Sequence, residues 1–160
     1  MTDNGQQLYD MRNPRCEEQL ERMERVNTEG KDIFDPEIIE QPILFETDHW
    51  YVTENAFPYW GAEYHFLVIS LLPIYTLDEM SPEMWEDLRK IWRKLIKKYK
   101  IQGGALGFRF GEDSQRSGST IKRLHVHLIQ PEKGKKTKFT IGGKTCMGVH
   151  PGVRNLKVVK

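Results

Sequence analysis

The sequence contains 160 residues with a formal net charge of +1, and 38% of them are hydrophobic. This length allows one domain with its own hydrophobic core, and two isolated cysteines exclude a disulfide framework. No apolar run approaches the roughly 18 residues that span a membrane, and the N-terminus lacks the apolar stretch of a secretion signal. We therefore expect a cytoplasmic protein that does not bind membranes.

The charges are distributed unevenly along the chain. Residues 1–50 contain 13 acidic and 5 basic side chains, a net charge of −8, so the rest of the chain carries +9. This surplus of bases favours an anionic ligand near residues 110–160, although a mixed helix face or a lysine-bearing tail would produce it without a partner. The pattern gives no indication of nucleic-acid binding.

The first part of the chain predicts a short helix followed by a hairpin. Apolar residues recur at helical spacing among charged residues between Pro14 and Val26, which indicates an amphipathic helix that packs on the domain or on a partner. Two β-prone segments, Ile43 to Thr47 and Trp50 to Glu54, flank a short turn that includes His49. We expect this histidine to face solvent.

A strand and a long helix are predicted next. The apolar segment from His65 to Ser70 is β-prone. Ser81 is suited to cap a helix that begins at Pro82, and apolar residues then recur at three- and four-residue steps up to Tyr99. We expect this helix to cover one face of a sheet.

Two more strands are predicted, at Ala105 to Phe110 and at Arg123 to Gln130, with a polar loop between them. Three regions follow from the whole pattern. They are an N-terminal extension with a short helix at 1–40, a core domain at 41–131, and a basic tail at 132–160 that includes a hairpin between Phe139 and Val149.

Two histidines stand two residues apart in the last of these strands. Because side chains alternate between the faces of a strand, Arg123, His125 and His127 share one face while Leu124 and Val126 point to the other. Three nitrogen-bearing side chains opposite an apolar face suit phosphate chemistry or metal binding, although a half-exposed surface strand would show the same alternation.

Four segments, taken in this order, resemble the histidine-triad (HIT) superfamily of nucleotide hydrolases and transferases, and most of all its diadenosine polyphosphate hydrolase and phosphorylase branches. The segments are Asn55-Ala56-Phe57-Pro58-Tyr59, His65-Phe66-Leu67-Val68-Ile69, Gly118-Ser119-Thr120 and Arg123-Leu124-His125-Val126-His127-Leu128-Ile129. The resemblance implies an α+β fold, with an antiparallel sheet of about five strands and a long helix on one face. It also implies a homodimer.

The resemblance further implies roles for individual residues. His125 is the expected nucleophile toward the α-phosphate, oriented by the backbone carbonyl of Arg123, and the product is a covalent nucleotidyl-histidine that water or another acceptor breaks. His127 and His65 are expected around the phosphoryl oxygens. The expected substrate-binding residues are Asn55, Gly118, Ser119, Thr120 and Arg123. Such a site needs no metal or other cofactor.

Arg123 departs from the family pattern, which has a histidine at this position. Its guanidinium is suited to a second phosphate or a carboxylate of the substrate, and a salt bridge to Glu112 or Asp113 is the alternative. The replacement also fits a nucleotide-binding protein of the same fold that has lost catalysis.

A third kind of function stays open at this point. Three histidines such as His65, His125 and His127 can bind zinc and leave its fourth coordination position open, as in hydrolytic metal sites.

Overall fold

The computed structural model describes residues 16–139 and 141, and its framework is one five-stranded sheet. The strands are β1 (Ile43–Glu46), β2 (Trp50–Glu54), β3 (Ala62–Ser70), β4 (Ala105–Arg109) and β5 (His125–Pro131). Their spatial order is β1-β2-β3-β5-β4, and every neighbouring pair is antiparallel. The helices are α1 (Glu17–Thr28), α2 (Pro82–Tyr99) and the short α3 (Ser114–Ser117). The predicted α+β class with an antiparallel sheet of five strands is confirmed.

Helix α2 begins and ends at the residues that its sequence favours. The Ser81 side chain accepts a hydrogen bond from the Met84 amide at 3.3 Å, and Pro82 occupies the first helical position. Lys100 adopts a left-handed conformation at φ 52° and donates its amide to the Ile96 carbonyl, which ends the helix.

The main hydrophobic core lies between α2 and one face of the sheet. Trp50 is fully buried there and donates its indole N–H to the Met84 carbonyl at 3.0 Å. The cluster also contains Val52, Phe66, Val68, Leu88, Ile91, Leu95, Leu124, Val126 and Leu128. Because burying one large apolar side chain contributes about 1.5–3 kcal/mol, this face anchors the fold.

Helix α1 and the segment that follows it cover the opposite face of the sheet. Met23 and Val26 of α1 are buried, as are Ile33 and Phe34 of the following segment. They pack with Tyr51, Leu67, Ile69 and Ile121 in a second hydrophobic cluster. The helix is displaced slightly along the chain from its predicted position, and it packs on the domain, which the sequence left open.

The pairing of β3 with β5 brings the predicted histidines to this second face. Leu67 lies opposite His127, and Ile69 lies opposite His125. His65 is two residues before Leu67, so its side chain points to the same face and is diagonal to His127. Three imidazoles therefore share one side of the sheet.

Some boundaries differ from the expectations. Strand β5 begins at His125 rather than Arg123, because the Leu124 amide donates to the Ile74 carbonyl of a loop. The expected hairpin between Phe139 and Val149 lies almost wholly outside the described residues. Among the helices of residues 16–139, none is long and apolar enough to cross a membrane.

His49 is only partly exposed, with 26% of its side chain accessible, and it makes a polar contact that the sequence did not predict. Its Nδ1 lies 2.8 Å from one carboxylate oxygen of Asp87, and Lys90 Nζ lies 2.7 Å from the other. The hydrogen bonds from Lys90 and His49 lower the pKa of Asp87 to about 2. The turn between β1 and β2 is thereby tied to α2, a contact for which the sequence offered no periodic signal.

Candidate active site

Three buried imidazoles lie side by side on the second face of the sheet. His65 Nε2 is 2.8 Å from His127 Nδ1, and the ring centroids of His125 and His127 are 5.0 Å apart. Each of the three residues is at most 5% exposed. The structure therefore brings together the three histidines predicted as catalytic, although β5 alone supplies only two of them.

Hydrogen bonds assign the protons of the neutral His65 and His127 rings. The Tyr59 amide, which can only donate, lies 3.1 Å from His65 Nδ1, so the proton of His65 is on Nε2. That Nε2–H donates to His127 Nδ1, which leaves the proton of His127 on its own Nε2. The Asn55 side-chain nitrogen is 3.1 Å from His65 Nε2, but two donors do not bond to each other. His127 thus carries an N–H that can donate.

The backbone of Arg123 sets the tautomer of His125. The His125 Nδ1 atom lies 2.7 Å from the Arg123 carbonyl oxygen, an acceptor, so the ring proton is on Nδ1 and the lone pair is on Nε2. This is the hydrogen bond that the resemblance to the HIT superfamily implied. A neutral imidazole held in this way has the form of a nucleophile.

Three aromatic rings surround the imidazoles, one against each. Tyr59 stacks on His65 at 4.7 Å between centroids, Phe34 meets His125 edge-on at 5.0 Å, and Phe139 meets His127 edge-on at 5.2 Å. Sequence reasoning assigned none of these contacts. Phe34 and Phe139 come from the N-terminal extension and the basic tail, far from the motifs in the chain.

Gly107 makes room for one of these rings. It lies opposite His127 in the pairing of β4 with β5. A Cβ atom at Gly107 would lie 2.5 Å from the Phe139 ring, far inside van der Waals contact. The absence of a side chain at Gly107 therefore allows Phe139 to pack beside His127.

Arg109 is a buried cation at the same site. Its guanidinium donates to the Ser117 carbonyl and, at 2.9 Å, to the Tyr59 hydroxyl, and it lies 4.4 Å from the centre of the Phe139 ring. It is only 4% exposed. Sequence reasoning gave this residue no role.

The predicted substrate-binding residues occupy different environments. Asn55 and Thr120 line a cavity beside His125 and His127. The Asn55 side-chain oxygen accepts from the Phe57 amide at 3.0 Å, which shapes the loop. Ser119 is buried and donates its hydroxyl to the Ile121 carbonyl, and Gly118 adopts a left-handed φ of 65° in the loop before it.

The Arg123 side chain points toward the N-terminal extension. Its Nη1 donates to the Phe34 carbonyl at 2.6 Å, and its Nε lies 3.1 Å from the Asp32 carboxylate. The alternative of a salt bridge to Glu112 or Asp113 is wrong, since Asp113 pairs with Arg116 instead. The path of the chain before β5 determines which acidic residue the Arg123 side chain reaches, and strand alternation does not predict that path.

The cavity beside His125 and His127 has a volume of about 60 Å³. The core domain contributes part of its wall, including Arg109. The N-terminal extension contributes the rest through Gln19, Arg22, Met23, Ile33, Phe34 and Ile39. In the described part of the chain, no group of three His, Cys, Asp or Glu side chains is placed to hold a metal ion. The geometry thus offers no support for the zinc alternative.

Comparison with known proteins agrees with this architecture. Solved structures of similar fold include a histidine triad nucleotide-binding protein from Candida albicans, with 20% sequence identity, a TM-score of 0.52, and coverage of 70% of this chain and 80% of that one. A hypothetical protein from Leishmania major is 21% identical with a TM-score of 0.50, covering 68% and 75% of the two chains. A zinc-bound histidine triad family protein from Mycobacterium smegmatis is 16% identical with a TM-score of 0.50, covering 64% and 74%.

The family itself is shown by a model of the HIT domain, which matches residues 37–134. This region is more than half of the chain, and it contains all five strands, α2 and the three imidazoles. The chain belongs to the HIT domain family.

Proposed function

We propose that this protein is a nucleotide hydrolase or nucleotidyl transferase that acts at the α-phosphate of a nucleoside phosphate derivative through a covalent nucleotidyl-histidine at His125. The observation that carries the proposal is the 2.7 Å hydrogen bond between His125 Nδ1 and the Arg123 carbonyl, because it leaves the lone pair on Nε2. Membership of the HIT domain family supports a nucleotide as the substrate.

In the first step, His125 Nε2 forms a bond to the α-phosphorus, and the bond from phosphorus to the leaving group breaks. The leaving group departs with the electron pair of that bond, and its negative charge accepts a hydrogen bond from His127 Nε2–H. Any proton that the leaving group needs comes from water. The positive charge that develops on His125 is stabilised through its Nδ1–H and the Arg123 carbonyl.

In the second step, water or another acceptor attacks the phosphorus and the phosphorus–nitrogen bond breaks. The acceptor loses its proton to solvent, and His125 Nε2 keeps the electron pair of the broken bond, so this ring returns to its starting neutral form. His65 holds the His127 ring in place throughout, because its Nε2–H donates to His127 Nδ1 at 2.8 Å.

The second candidate function is nucleotide binding without efficient turnover. Arg123 favours it, since this residue replaces the first histidine of the family pattern and its side chain contacts Asp32 and the Phe34 carbonyl. A protein of this kind would bind a nucleotide but would not release a leaving group.

The two candidates are separated by a substrate screen with the wild-type protein. Dinucleoside polyphosphates, nucleoside phosphoramidates and nucleotide sugars are incubated with and without inorganic phosphate, and products are resolved by chromatography. We expect release of a nucleoside monophosphate, or of a diphosphate where phosphate is the acceptor, and His125→Asn as the blank should release neither. AMP binding without any turnover of these three classes would favour the second candidate.

We also propose that the protein forms a homodimer through the β4 edge of the sheet. Strand β4 is a terminal strand of the sheet, and apolar side chains near it and on α2 are about half exposed. They are Trp85, Ile96, Leu106 and Phe110. Sedimentation of the wild type should give a dimer and that of Leu106→Glu a monomer, whereas a monomeric wild type would contradict the proposal.

A further inference from the structure

We propose that Arg123 is a positioning residue that fastens segment 32–34 of the N-terminal extension against His125. The inference rests on the proposed role of His125 as nucleophile. It concerns the side chain of Arg123, which replaces the histidine of the family pattern, and it assigns that side chain to the protein's own extension rather than to the substrate.

The contacts of Arg123 with the extension are specific and buried. Arg123 is 8% exposed, and it reaches both the Phe34 carbonyl, at 2.6 Å, and the Asp32 carboxylate, at 3.1 Å. The same carboxylate accepts from the Phe34 amide at 2.9 Å. The planar guanidinium of Arg123 therefore binds a turn that the Asp32 carboxylate already stabilises.

Tyr51 of β2 completes this network. Its hydroxyl donates to the Phe34 carbonyl at 2.7 Å, so that this oxygen accepts from Tyr51 and Arg123 together. Burial raises the pKa of Tyr51, which keeps the hydroxyl protonated and able to donate. The backbone of Phe34 is thus fixed from two directions.

Arg123 acts on His125 from two sides. Its backbone carbonyl orients the His125 ring, and its side chain holds Phe34, whose ring packs edge-on against His125. Movement of Arg123 would therefore disturb both the tautomer-setting hydrogen bond and the packing of the nucleophile. A misplacement of about 1 Å at a reacting group can reduce a rate by about 10²-fold.

The same contacts oppose entry of a nucleotide. Ile33 and Phe34 form part of the wall of the cavity of about 60 Å³ beside His125, so a looser segment would widen the space that a nucleotide has to enter. When a binding-competent state is rare, the apparent affinity falls in proportion to its population. Loosening the Arg123 contacts should therefore strengthen binding while it weakens catalysis.

The kinetic test uses Arg123→Met, Arg123→Lys and a matched control, Arg89→Met, which removes an exposed Arg–Glu pair on α2. With the substrate that the wild type turns over, we expect Arg123→Met to lower kcat by about tenfold to 10²-fold and to lower KM as well. Arg123→Lys should recover part of both changes, and Arg89→Met should alter neither. A fall in kcat with a rise in KM would overturn the proposal.

A second measurement does not depend on activity. Hydrogen–deuterium exchange compares the wild type with Arg123→Met and with Asp32→Asn, which breaks the same ion pair from the other partner. We expect amides 33–39 to exchange faster in both variants while α2 is unchanged. Unchanged exchange at 33–39 would overturn the proposal even if turnover falls. If the wild type neither binds AMP nor turns over any substrate, the proposed function fails, and the exchange data still decide whether Arg123 holds the segment.

Discussion

The face of the sheet under α2 and the face that carries the histidines are built from different kinds of residue. Under α2, a continuous cluster of apolar side chains from β2, β3 and β5 packs against one amphipathic helix. On the other face, three imidazoles, Arg109 and Arg123 are buried beside a smaller apolar cluster that includes α1. The first face stabilises the fold, and the second holds polar groups whose burial requires hydrogen bonds to many distant segments.

This difference predicts that substitutions on the two faces have separate consequences. Loss of a histidine should reduce turnover with little effect on folding, and loss of an apolar residue under α2 should reduce stability with little effect on turnover per folded molecule.

The largest effect is expected for His125→Asn. The amide cannot attack phosphorus, so turnover should fall by roughly 10⁴-fold or more, as expected when a catalytic nucleophile is removed. Steady-state kinetics and thermal unfolding measure the two quantities together. A variant that unfolds at the wild-type temperature and keeps its activity would show that His125 is not the nucleophile.

The next largest effect is expected for His127→Ala. Its Nε2–H is the proposed donor to the leaving group, and loss of one such donor typically reduces kcat by about 10²–10³-fold. Leaving groups with a low pKa need less stabilisation of their negative charge, so reactions that release them should lose much less activity in this variant. Equal losses for leaving groups of low and high pKa would mean that His127 does not donate to the leaving group.

Leu88→Ala probes the opposite face. Leu88 is 1% exposed in the main core, and truncation of such a side chain costs about 2–5 kcal/mol. Chemical denaturation should show this loss, and kcat at a temperature where the variant is folded should match the wild type. A large fall in kcat with folding intact would mean that the two faces are coupled.

The smallest effect is expected from the Asp87 contact with Lys90 and His49. Because the folded-state pKa of Asp87 is depressed from 3.8 to about 2, its stabilising contribution is complete above about pH 4 and is lost as the pH falls toward 2. The difference in unfolding free energy between the wild type and Asp87→Asn should therefore shrink over this interval. A difference that stays constant from pH 6 to pH 2 would contradict the assignment.

Sequence patterns predicted the elements that are periodic. The apolar steps of α2, its Ser81 cap and the alternation around His125 and His127 predicted the long helix and the histidine face of a strand. The antiparallel sheet of about five strands was what the family resemblance implied. The exact start of β5 was missed, because the Leu124 amide bonds to a loop rather than to a strand. The division of the chain at residues 40 and 131 stays a prediction.

The surroundings of the histidines could not be predicted in the same way. Phe34 and Phe139 reach the site from opposite ends of the chain, and no local pattern encodes which tertiary contacts a single aromatic residue makes. Strand alternation predicted Arg123 on the face of His125, and its side chain lies there, but β5 itself begins two residues later than expected. The Arg123 carbonyl is where the family resemblance implied it, and the Arg123 side chain contacts Asp32 instead of Glu112 or Asp113.

Attack of His125 Nε2 on the α-phosphate would leave a covalent adduct on this residue. To trap it, the wild-type protein is mixed with a dinucleoside polyphosphate, the reaction is quenched in alkaline denaturant to preserve a phosphorus–nitrogen bond, and the modified peptide is mapped by mass spectrometry. We predict a nucleoside monophosphate adduct on His125, and none on His127 or His65. Turnover with no adduct at any quench time, or an adduct on another residue, would contradict the account.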